Sequence, residues 1–71
     1  MSVNKGDLIL KRGGTRILEI KAFVADMVQC SSVCGTDEFI SPDLIASDYV
    51  VLNQGGSPEE NQRIMRLAEN G

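Results

Sequence analysis

The chain has 71 residues, a net charge of −3, 42% apolar residues, no Trp and three aromatics, Phe23, Phe39 and Tyr49. A chain this short buries only about 60% of the surface it exposes when unfolded, which allows one domain and a core worth a few kcal/mol net. Few aromatics argue against a base-stacking platform, no apolar run approaches the roughly 18 residues of a membrane span, and no cationic stretch precedes an apolar run as in a signal peptide, so a cytoplasmic protein without a membrane partner is expected.

The first element is a strand at "LIL", residues 8–10, followed after "KRGGTR" by "RILEIKAF", where Leu18, Ile20 and Ala22 recur at period two with Glu19 and Lys21 between them. That alternation is the pattern of a strand with one wet face. Gly13 and Gly14 lack a Cβ and suit a tight turn, which makes "KRGGTR" the tip of a β-hairpin. A phosphate loop of the Walker type would instead lead into a helix through Lys-Ser/Thr, and here β-formers follow the glycines.

"MVQCSS" reads as a third strand, and "VCGTDEFI" as a Gly35-Thr36 turn with a short strand carrying Phe39. "SPDLIASD", residues 41–48, is a single helical or 3₁₀ turn, with Ser41 as cap, Pro42 at the first position and Asp43 at the positive end. "YVVL" at 49–52 completes the β region. Four or five short antiparallel strands at about ten-residue spacing suggest a small barrel, because closure hides strand edges.

"NQGGS", residues 53–57, is a flexible connector. Beyond it, Ser57, Pro58 and Glu60 form a capping box for a helix over about 58–69. Ile64, Met65, Leu67 and Ala68 make one short apolar stripe, and a helix of about a dozen residues needs a docking surface. The predicted organisation is a β-barrel over 1–52, a connector over 53–57 and an amphipathic helical segment over 58–71.

Catalytic pairs are scarce. Without His, no Ser-His or Cys-His nucleophile can be built. Asp37 and Glu38 are adjacent and point to opposite faces of a strand, while Asp43 and Asp48 fit capping or solvated roles. Cys30 and Cys34 lack the four ligands of a structural zinc site and read as free thiols, Cys30 in the core and Cys34 near a turn. No enzyme activity, cofactor or metal is expected.

The layout "GDLILKRGGTRILEI…MVQC…EFISPDLI" resembles the YodC-like family of small uncharacterised bacterial proteins over about residues 5–45. The matching positions are Gly6, Asp7, Lys11, Gly13, Gly14, Met27, Val28, Cys30, Phe39 and Leu44. This chain has Thr15 where the family usually has Pro, and "SSVCG" in place of a Trp-containing segment. The resemblance implies a small SH3-like β-barrel and no settled activity, and the C-terminal helix lies outside it.

The expected function is therefore that of a small non-catalytic binding protein that occupies a surface of another protein, as a phage or mobile-element inhibitor of a host enzyme or defence complex would. The alternative is a nucleic-acid or nucleotide-phosphate binder using Lys11, Arg12, Arg16 and Lys21. Residues 1–22 hold five cations against two acids, and residues 23–71 hold two cations against eight acids. If Leu8 and Leu10 point inward, Ile9 points outward, and strand alternation sets Ile17 and Phe23 opposite Leu18, Ile20 and Ala22. A turn closed at Gly13-Gly14 nevertheless pairs Leu10 with Ile17 and Ile9 with Leu18, so a bulge or a longer loop is required. The outward apolar groups Ile9, Ile17 and Phe23, with Ile64 and Leu67 of the helix, form the expected interface, and a homodimer is its expected use.

Overall fold

The computed structural model describes residues 3–70, so the predicted ends at residues 1 and 71 lie outside the described residues. Five strands and two helices follow in the order β1 (Leu8–Lys11), β2 (Ile17–Val24), β3 (Met27–Ser31), β4 (Asp37–Ile40), α1 (Pro42–Asp48), β5 (Tyr49–Asn53) and α2 (Pro58–Asn70). All pairings are antiparallel, in one sheet of order β4-β3-β2-β1-β5. β4 and β5 form its two edges, so the sheet is not closed into the barrel expected from the strand spacing. Between the two edges α1 follows β4 directly, and Ile45 of α1 and Tyr49 at the start of β5 are buried in the core.

The β1–β2 register is Ile9 opposite Leu18 and Leu10 opposite Ile17, as the hairpin reading required. The hydrogen-bonded turn lies one residue earlier than Gly13-Gly14: Gly14 N–H donates to Lys11 O at 3.0 Å, and Gly13 takes the positive φ of 76° at the third turn position. Residues 12–16 form the longer loop.

Residues directly opposite one another share a sheet face. One face carries Ile9, Leu18, Ile20, Val28, Cys30 and Ile40 into the main core. Ile9 thus points inward and Leu8 to the other face, the reverse of the assumed orientation. A bulge at Lys21 then shifts the phase of β2: Ile20 pairs with Cys30, but Ala22 pairs with Gln29 and Phe23 with Val28. Ala22 consequently leaves the face of Ile20, and Phe23 joins it.

Part of the second face is covered, because α2 packs against it at β1 and β2. Leu8 and Glu19 are paired on that face and both are buried, as are Asn61 and Met65 of α2. The Asn61 side-chain amide donates to Gly6 O at 2.7 Å and to Glu19 Oε2 at 2.8 Å, while its oxygen accepts from Asn53 Nδ2 at 3.1 Å. Asp7, also buried, accepts from Asn4 N–H and Gly55 N–H, each at 2.8 Å. Gly56 fits tightly into this junction: a Cβ there would collide with Asn53 Nδ2 and lie 2.7 Å from Asn61 Oδ1. Ser57 caps α2 by accepting from Glu60 N–H at 3.2 Å, and the Glu60 carboxylate turns to Asn53 at 3.3 Å.

Candidate functional site

The four cations proposed for phosphate binding do not converge. Arg16 is ion-paired with Glu38 of β4, and Lys21 Nζ lies 3.0 Å from Glu19 Oε1. Five residue steps at about 3.3 Å each take the chain from Arg16 to Lys21, roughly 16 Å. Lys11 and Arg12 stay exposed at the hairpin tip and make no ion pair among the described residues.

The five proposed interface residues are also dispersed. Ile9 is 0% exposed, Ile17 and Ile64 are half-buried, and Phe23 and Leu67 are 54% and 67% exposed. Ile9 is therefore corrected from surface to core. Ile17 lies near the first hairpin, Phe23 near the second, and Leu67 on the outer side of α2. The groove on that outer side is lined by Pro58, Glu59, Gln62, Arg63, Arg66 and Leu67, all from one helix, so it has no opposing wall.

A different apolar surface is assembled by the sheet. β2 runs away from the basic hairpin to a second tip at Ala25-Asp26, and the pairing of Val28 with Ile40 brings the end of β4 and the start of α1 to that same tip. Phe23 is 54% exposed, Val24 46%, Phe39 54% and Leu44 42%: four of the six exposed large hydrophobics gather at this end. The bulge at Lys21 divides them between sides, with Phe23 in the row of Val28 and Ile40, and Phe39 in the row of Gln29 and Ala22. "FVADM" carried a signal for this surface. Two consecutive large apolar residues before a tight turn point to opposite faces at the very end of the sheet, beyond the cover of both the core and α2, and both are exposed.

The tip holds a backbone irregularity, since Ala25 has φ 55°. That region disfavours a residue with a Cβ by about 1–2 kcal/mol. The acids near the tip are not all neutralised: Glu38, beside Phe39, is paired with Arg16, while Asp26 and Asp43 make no ion pair among the described residues. Residues 22–62 contain no Lys or Arg and seven acids, among them Asp26 in the tip and Asp43 in the first turn of α1.

The cysteines occupy contrasting settings. Burial, then the nearby Glu38 carboxylate, pushes the Cys30 thiol up to about 11. Cys34 is exposed in the β3–β4 turn, where the Ser32 hydroxyl at 3.1 Å, the Thr36 hydroxyl at 3.5 Å and a Thr36 backbone contact lower its pKa to about 7. Burial and then the Glu38 charge also raise the Tyr49 phenol. Among the described residues, no three His, Cys, Asp or Glu side chains converge as a metal site would require, and no helix is long and apolar enough to cross a membrane.

Comparison of the chain with protein-family models, with curated proteins and with solved structures finds no match in any of the three.

Proposed function

We propose that this chain is a non-catalytic binding protein that acts by occupying a surface of another protein. The observation that carries the reading is the apolar end of the sheet, where Phe23, Val24, Phe39 and Leu44 remain in water although the chain has few large side chains to spare for its core. Large apolar groups left exposed at one end of a small domain, here on both faces of the sheet, support a contact surface. An SH3-like architecture is part of the proposal. It is supported by the order β4-β3-β2-β1-β5, by the bulge that bends β2, and by the helical turn between β4 and β5.

The alternative, a nucleic-acid or nucleotide-phosphate binder, has weaker support because Arg16 and Lys21 already serve carboxylates. The two readings separate in one comparison. The tagged chain, incubated with extract of its native cells, is expected to retain a protein that re-forms a complex when both are purified, with only modest salt dependence. No retained protein, together with duplex DNA or nucleotide binding that weakens by a log-log salt slope of about −0.9 per phosphate neutralised, would reverse the order.

A further inference from the structure

We infer that the apolar end formed by Phe23, Val24, Phe39 and Leu44 is the docking site for a cationic, apolar-anchored segment of the partner protein. This inference rests on the protein-binding reading above and names the surface and its ligand chemistry. Charge complementarity selects the occupant. Asp26 and Asp43 stand beside the exposed hydrophobics and Asp37 at the far end of β4, and none of the three makes an ion pair among the described residues. Asp37 has only the neutral Gln29 amide, at 3.3 Å. A segment with Lys or Arg flanking large apolar residues would cover the hydrophobics and place cations against these carboxylates. A second copy docked by the same end would instead bring acid against acid.

The geometry suits an anchored contact. Phe23 stands on the core side of the sheet, Val24 and Phe39 on the α2 side, and Leu44 in α1, which follows β4 at the same end, so the apolar surface spans both faces there. Phe is enriched at protein interfaces relative to the rest of the surface. Opposite charge around them accelerates encounter and rejects acidic competitors.

The probe is a short fluorescein-labelled peptide in which Lys alternates with Leu and Phe, titrated with the full chain and followed by anisotropy. It is compared with a peptide carrying Glu for Lys and with one carrying Ser for Leu and Phe. The expected result is binding of the Lys-apolar peptide about tenfold tighter than either comparator, and a loss of about tenfold in each of Phe23→Ser and Phe39→Ser. Both side chains are more than half exposed, so circular dichroism of these variants should match the parent. Equal binding of the two Lys peptides, or no loss in the variants, overturns the inference, because charge alone would then account for the binding. A dimer in sedimentation that dissociates in the same variants overturns it too, making a second copy the occupant. If the peptide fails while a partner captured from cells still binds Phe23→Ser and Phe39→Ser, this surface is wrong and the binding-protein reading stands. If no protein is captured either, both fall.

Discussion

Asn61 of α2 donates its side-chain amide to Glu19 Oε2 of β2 at 2.8 Å, with both residues buried and 42 positions apart in the chain. The contact makes the helix part of the domain. A buried carboxylate left short of a donor is costly, and the same amide satisfies Gly6 O. Asn61→Ala should therefore cost about 2–3 kcal/mol in urea unfolding at pH 7. Asn61→Asp, nearly isosteric, should cost more, because it sets a second carboxylate against Glu19. Equal stability of parent and Asn61→Asp would show that α2 is not held this way.

Met65 and Leu67 look alike in the sequence and differ in the fold. Met65 is buried against the sheet and Leu67 is the most exposed large hydrophobic among the described residues. Met65→Ala should cost about 2–4 kcal/mol, and Leu67→Ala should stay within about 0.5 kcal/mol. Thermal melts of the two variants compare them directly, and a larger loss for Leu67→Ala would place the helix face the other way.

What the sequence disclosed and what it hid have physical causes. Strand periodicity and glycine turns placed β1, β2 and β3, and the caps at Ser41 and Ser57 placed both helices, because these signals act within a few residues. Side-chain direction was less legible. Leu8 and Ile9 are both buried, one under α2 and one in the core, so apolarity alone could not orient β1. The bulge at Lys21 broke the period that Leu18, Ile20 and Ala22 share on paper. Asn61 makes the buried contacts of α2, and nothing in its local sequence distinguishes it from the other polar residues of the helix. The surface at Phe23 and Phe39 required the β3–β4 pairing, which is a long-range property.

Ala25 holds its strained backbone at a hairpin tip. Glycine relieves about 1–2 kcal/mol of steric cost and loses about 0.4–1 kcal/mol through a more flexible unfolded chain. Ala25→Gly should thus stabilise the protein by about 0.5–1 kcal/mol in chemical denaturation. A destabilisation would mean that the tip does not adopt this conformation.

Thiol chemistry supplies a pH-dependent readout. Cys34 should react with iodoacetamide with a half-maximal rate near pH 7, whereas buried Cys30, pushed up to about 11, should react only on unfolding. Ser32→Ala should move the Cys34 midpoint upward, since the Ser32 hydrogen bond is the largest cause of the lowering. The stability linkage has opposite signs for the two thiols. The depressed Cys34 adds stability above its unfolded value near 9, lost as pH falls through about 7. The raised Cys30 adds stability below about 9, lost as pH rises through about 11. Mass spectrometry of the alkylated chain across this range checks both sites.

The central claim is that this protein meets its partner through the end of the sheet at Phe23, Val24, Phe39 and Leu44. Backbone amide NMR of the labelled chain, recorded with and without the purified partner captured from native cells, tests it most directly. The largest shift changes are expected at residues 23–27 and 37–44, with Lys11, Arg12 and the outer face of α2 unchanged. Changes concentrated at Lys11, Arg12 and Arg16, or at Arg63 and Leu67, would contradict it.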